Sequence, residues 1–135
     1  MTDAVRAAEV RPPCACSCYS RIVRIIDGPI PITDLEAMAR EGFGDLVKAV
    51  VDVERGIMAV DGELHADEEA LLLEHGSAQN DLWGINYYPE LTGPDRIEFD
   101  SLINIRPAQG NRSRGVDDPA VRGRILRVVE ALLEP

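Results

Sequence analysis

Apolar residues along this chain recur with two different spacings, and the switches between them mark out the elements. "RIVRIID" is a β-branched run closed by a Gly-Pro break, which reads as a strand ending in a turn. The spacing changes at Thr33. Leu35, Met38 and Ala39 share one helical face, Thr33 and Glu36 form a Thr-x-x-Glu capping box, and Gly42 and Gly44 offer stops. "LVKAVVDVERGIMAV" holds two β-rich runs around Glu54, Arg55 and Gly56, the spacing of a hairpin whose glycine takes the left-handed conformation. A second helix is predicted from about Asp67 to His75, because Gly76 and Ser77 end the run of Leu71, Leu72 and Leu73. "LWGINYY" and "RIEFDSLINIR", parted by a loop rich in Pro and Gly, are predicted to pair as a second hairpin. Asp118 and Pro119 open a last helix carrying Val121, Ile125, Val128, Val129 and Leu132 at helical spacing.

This order, β-α-β-β-α-β-β-α, predicts an α+β fold: a small mixed, mostly antiparallel sheet of about five strands with three helices. In "RIEFDSLINIR", Ile97, Phe99, Ser101, Ile103 and Ile105 alternate with Arg96, Glu98, Asp100, Leu102, Asn104 and Arg106. One sheet face is therefore expected to carry helices and the other to be partly wet, with Ile103 inward and Asn104 outward. Residues 1–20 have no sustained apolar period and are interrupted by Pro12 and Pro13, so they read as a flexible extension to a single domain over residues 21–135.

Composition narrows the function classes. A chain of 135 residues with 45% apolar and 28% charged residues has the size and balance of one globular domain. Its formal charge of -10 and pI near 4.6 argue against nucleic-acid binding, which needs a basic stripe to displace counterions, and make a protein partner easier to accommodate. No run approaches the ~18 continuous apolar residues of a membrane span. The charged start "MTDAVRAAEV" does not suit a signal peptide, so a cytoplasmic location is expected. Cys14, Cys16 and Cys18 lie together in "CACSC", an odd number without Cys-x-x-Cys spacing. They fit a reducing compartment better than a disulfide framework, and with no fourth ligand nearby neither a metal nor a cofactor is expected.

The stretch "FGDLVKAVVDVERGIMAVDGELHADEEALLLEHGSAQNDLWGINYYPE" followed by "IEFDSLINIRPAQGNRSRGV" resembles a small bacterial family catalogued as a domain of unknown function (number 5674). The likeness runs from about Arg21 to the C-terminus and is carried by "GELHADEEALLLE", "DLWGIN", "INIRP" and "GNRSRG". It implies no activity, substrate or catalytic residue, and it leaves the cysteine-bearing extension outside the shared part.

Two stretches carry candidate chemistry. Glu63, His65 and Asp67 alternate just before the second helix. Asp67 can cap it, while His65, left neutral by the helix N-terminus, can serve as base or acid with Glu63 or Asp67 as orienter. "RPAQGNRSRGVDDP" places Arg106, Asn111, Arg112 and Arg114 in a Gly-bearing loop able to cradle an anion, although no phosphate-loop pattern is present and the loop's own carbonyls and aspartates offer these arginines partners. Two functions follow. The first is a protein-interaction or self-associating module, a homodimer included, using an exposed sheet face of Lys48, Asp52, Arg96, Glu98, Asp100 and Asn104 around Val50 and Leu102. The alternative is a small enzyme or anionic small-ligand binder built on His65 and the arginine loop. It requires that the loop return to the helix carrying His65, and the sequence leaves open whether the protein is an enzyme.

Overall fold

The computed structural model describes residues 23–135, so the proposed extension and its cysteines lie outside the described residues. Strands β1 (Arg24–Ile26), β3 (Val47–Asp52), β4 (Ile57–Val60), β5 (Leu82–Tyr87) and β6 (Ile97–Glu98) form a five-stranded antiparallel sheet in the order β1-β4-β3-β5-β6. Two-residue strands β2 (Ile30–Pro31) and β7 (Leu133–Glu134) pair in parallel beside it. Helices α1 (Ile32–Glu41), α2 (His65–Glu74) and α3 (Pro119–Leu132) complete the α+β fold expected from the sequence. Among the described residues no helix is long and apolar enough to cross a membrane.

The alternation of β3 and β5 gives the sheet two buried faces. Val47, Ala49 and Val51 with Trp83, Ile85 and Tyr87 pack beneath Leu35, Met38 and Ala39 of α1 and Ile125, Val129 and Leu132 of α3. On the opposite face Val50 and Leu82 meet Leu71 and Leu72 of α2. The expected wet face is therefore half covered, and the proposed interaction surface loses Val50, Asp52 and Asn104, all fully buried, while Leu102 stays exposed. Asp52 accepts the N–H groups of Glu54 and Arg55, both at 2.9 Å, and the Ser77 hydroxyl at 2.6 Å, which fixes the β3–β4 turn. Gly56 takes the left-handed conformation there, with φ +70°, as its place in the turn predicts.

Helix α3 begins as the sequence predicts, with Asp118 accepting the Ala120 N–H at 2.9 Å and Pro119 in the first turn. The other two helices start differently. Helix α1 begins at Ile32 with no side-chain cap, so the Thr33–Glu36 box does not form. Helix α2 begins at His65 rather than Asp67, again with no side-chain cap. The Glu68 carboxylate instead reaches back to the Gly62 N–H at 2.8 Å, drawing the chain into the helix two residues early.

The larger correction concerns "RIEFDSLINIR". Pairing stops after Glu98, and residues 102–104 form a 3-10 turn with the Ser101 hydroxyl accepting the Ile103 N–H at 3.3 Å. The physical cause lies in Gly84. The Asn104 amide accepts its N–H at 2.8 Å and donates to its carbonyl at 3.0 Å, supplying the hydrogen bonds that a continued strand would have made. The strip can lie this close because Gly84 has no side chain; a Cβ there would sit 2.6 Å from the Ser101 Cβ. The expected alternation is thereby broken: Leu102 is 66% exposed and Ser101 buried, as expected, but Asn104 is buried and Ile103 half-buried.

Removing the Asn104 amide would orphan both Gly84 backbone groups and take one of two donors from the Arg114 carbonyl, which accepts the amide at 2.9 Å and keeps the Ser101 N–H. At ~1–3 kcal/mol for each buried unpaired group, Asn104→Ala should lose about 3 kcal/mol or more. Leu102→Ala should stay within about 0.5 kcal/mol, and urea denaturation of the two variants checks the contrast.

Candidate functional site

Beyond the start of α2 the sheet is left partly uncovered, and a groove of about 290 Å³ opens there. Its floor follows from strand register. Lys48 of β3 stands opposite Asn86 of β5, which stands opposite Glu98 of β6, so the three share a row on the α2 side. Lys48 and Asn86 line the groove. Leu64, His65 and Ala66 at the helix start form one wall, and Asp100, Ser101, Leu102, Ile103 and Arg114 form the other.

His65 is the first residue of α2 and is 9% exposed. Its Nε2 lies 2.7 Å from the Ile85 carbonyl. A carbonyl only accepts, so Nε2 carries the hydrogen and Nδ1 keeps a lone pair with no hydrogen-bond partner among the described residues. Burial holds the ring's pKa below the ordinary 6.5; the Ile85 bond works against that shift, as does Asp100, while Lys48 and Arg114 add to it. At neutral pH the imidazole is uncharged.

The groove holds further unused bonding capacity. Asn86 is 9% exposed, and its Nδ2 donates to Glu98 Oε1 at 2.9 Å, which fixes the amide's orientation. Its Oδ1 is closed off from water and has no partner. Among the described residues the Lys48 ammonium makes no ion pair, and it lies 5.1 Å over the Phe43 ring. The backbone N–H groups of His65 and Ala66, at an uncapped helix start, also lack partners among the described residues. Arg114 Nε binds Asp100 Oδ1 at 2.6 Å on the rim, where both side chains are substantially exposed.

Of the residues singled out from sequence, the groove brings together His65 and Arg114, with Lys48 and Asp100 from the proposed interaction face. Glu63 and Asp67 are exposed and do not line it; the His65 ring is held by the Ile85 carbonyl instead. Arg106 lies 4.4 Å over the Trp83 ring and donates to the carbonyls of Ile103, Gln79 and Leu82, pinning the strip to β5. Asn111 is buried and organises its own loop, donating to the Asn104 carbonyl at 2.7 Å and accepting the Asp117 N–H at 2.7 Å. Arg112 is exposed and outside the groove, with its backbone N–H on Asp117. Arg96, also outside it, bonds the Gly93 carbonyl. Asn86 and Ser101 were missed as site residues. The signal for Asn86 is in "LWGINYY", where a lone amide interrupts an apolar strand. Among the described residues no group of three or more His, Cys, Asp or Glu side chains could hold a metal ion.

The burial of His65 sets a pH dependence. Below pH 6.5 the unfolded chain takes up a proton that the buried ring resists, so this residue's contribution is full above 6.5, falls as the pH drops toward the folded pKa, and levels off beneath it. Urea unfolding from about pH 7.5 to about pH 5 should show a smaller loss of stability in His65→Gln than in the unmodified protein. Parallel losses would sink this assignment.

No curated protein and no solved structure matches the chain. The family model described as "Protein of unknown function (DUF5674)" matches residues 24–132, and the chain belongs to that family.

Proposed function

We propose that the protein binds a small anionic molecule in the groove between the start of α2 and the strip ending at Ile103. The observation that carries this reading is the convergence of unpaired donors on one concavity. Among the described residues the Lys48 ammonium has no counter-charge and the His65 and Ala66 N–H groups are free at the positive end of a ten-residue helix, while Arg114, paired with Asp100, stands at the rim. In a chain of net charge -10, an unneutralised lysine beside a helix N-terminus is a local exception that favours an anion. A volume of about 290 Å³ suits a compact ligand, at the lower edge of the usual ~300–1,000 Å³ for small-molecule sites.

A second reading, in which the bound molecule is also transformed, rests on His65. A neutral imidazole with an unpartnered Nδ1 is equipped to accept a proton from a group bound against it. The interaction reading has less support, because Val50, Asp52 and Asn104 of its face are buried, and Lys48, Asp100 and Leu102, which stay accessible, line this same groove.

Titration of the ¹⁵N-labelled chain with acetate and then with inorganic phosphate tests the proposal. The amide signals of His65 and Ala66 should move with at least one of them. Lys48→Met should weaken that binding by about tenfold or more, the loss expected for one charge-assisted hydrogen bond. If neither anion moves these signals at millimolar concentration, the groove is not an anion site.

A further inference from the structure

Donors alone do not exhaust the groove. It also holds acceptors: Asn86 Oδ1, His65 Nδ1 and the Asp100 carboxylate, whose Oδ1 accepts from Arg114 on the rim. Building on the anion-site reading, we propose that the ligand is a free α-amino acid with an apolar side chain, its carboxylate at the start of α2 with Lys48 and its ammonium on the acceptor side of the groove.

The acceptor set separates this ligand from other small anions. A phosphate or sulfate presents oxygens in every direction, which would leave Asn86 Oδ1 without a donor and set negative charge against Asp100. A hydroxy acid brings one donor for three acceptors, whereas a primary ammonium brings three and a positive charge. Asn86 is well suited to meet that charge: its Nδ2 is committed to the Glu98 carboxylate, so the amide can offer only oxygen, and that oxygen is polarised toward the negative. Oδ1 is shut off from water, and a donor reaches it when a lining side chain turns aside. Lys48, with only a ring contact among the described residues, is free to do so. The remaining wall is apolar, with Leu64 56% and Leu102 66% exposed at the mouth and Ile103 half-buried behind them. An aliphatic side chain would cover this surface as the charged end settles inside.

Calorimetric and NMR titrations of the full chain with L-leucine, 4-methylpentanoate, 2-hydroxy-4-methylpentanoate and L-leucinamide separate the contributions. Leucine should bind with shifts at His65 and Ala66. Each analogue, lacking either the ammonium or the carboxylate, should bind at least about tenfold more weakly. In Asn86→Leu the preference for leucine over 4-methylpentanoate should collapse; should that variant not fold, Asp100→Asn, at the half-exposed rim, should narrow the same ratio. If 4-methylpentanoate or the hydroxy acid binds as tightly as leucine, or acetate and phosphate bind and leucine does not, the amino-acid assignment is overturned while the anion site stands. If none of these compounds moves the His65 and Ala66 signals, the groove reading falls and this assignment with it.

Discussion

Where β6 stops after Glu98, the backbone of Gly84 is left without a neighbouring strand, and the Asn104 side chain fills the gap with an acceptor for its N–H and a donor to its carbonyl. An amide is the one neutral side-chain group that offers a carbonyl oxygen and an N–H side by side, as a peptide unit does. By standing in for a strand residue, it lets the chain leave the sheet edge and fold across the α2 face without stranding polar backbone in the interior. Arg106 on the Leu82 carbonyl and Asn111 on the Asn104 carbonyl extend the same attachment, so the strip is held along its length. The groove exists because this strip and the first turn of α2 approach the sheet from opposite sides and leave Lys48 and Asn86 between them.

The electrostatics of that gap follow from how α2 begins. A side-chain cap would have consumed the first free N–H groups, but the helix starts at Leu64 and His65, neither of which caps, and Glu68 turns away to bond Gly62. The partial positive charge of the helix end therefore stays unmet where Lys48 adds a full one. A charged imidazole in that place would meet both the desolvation cost and the repulsion of Lys48 and Arg114, and the ring remains neutral as a result. Its neutrality in turn leaves Nδ1 as an acceptor, which turns a uniformly positive corner into one offering both donors and acceptors.

Much of the fold was legible because local signals and packing agree. The Glu54–Gly56 turn and the Asp118–Pro119 helix start involve residues whose conformational preferences are strong and need no distant partner. The Thr33–Glu36 box and the Asp67 cap failed for the opposite reason. Each pattern permits a cap, but the chain entered the helix earlier, as the Glu68 to Gly62 bond shows for α2. The strand reading of "RIEFDSLINIR" failed through a contact between residues twenty positions apart. Perfect alternation there describes a surface that could pair, while the pairing itself was taken over by one amide that the pattern had placed outside. For the site, His65 stood out as an imidazole unexplained by its acidic neighbours. The arginine that joins it in the groove is only one of the three in the loop, because Arg106 is drawn to Trp83 and backbone carbonyls and Arg112 faces solvent.

Three consecutive residues of β5 therefore tie the fold to the candidate site. Gly84 receives the Asn104 amide, the Ile85 carbonyl orients His65, and Asn86 contributes the buried oxygen on the groove floor. Their neighbour across the sheet, β3, is fixed by its own pairing on both sides, so the floor is rigid and adjustment falls to Lys48 and to the exposed Leu64 and Leu102 side chains. Such a division favours binding: a preformed row of acceptors and donors pays little ordering entropy, and the side chains that must move are those with fewest attachments. Gly84 joins the two roles most closely, because the Ser101 and His65 side chains both lie against the position its missing Cβ would occupy. A side chain there would push apart the two walls of the groove and the strip that closes the sheet in a single step, so the requirement for glycine belongs to the fold and to the site alike.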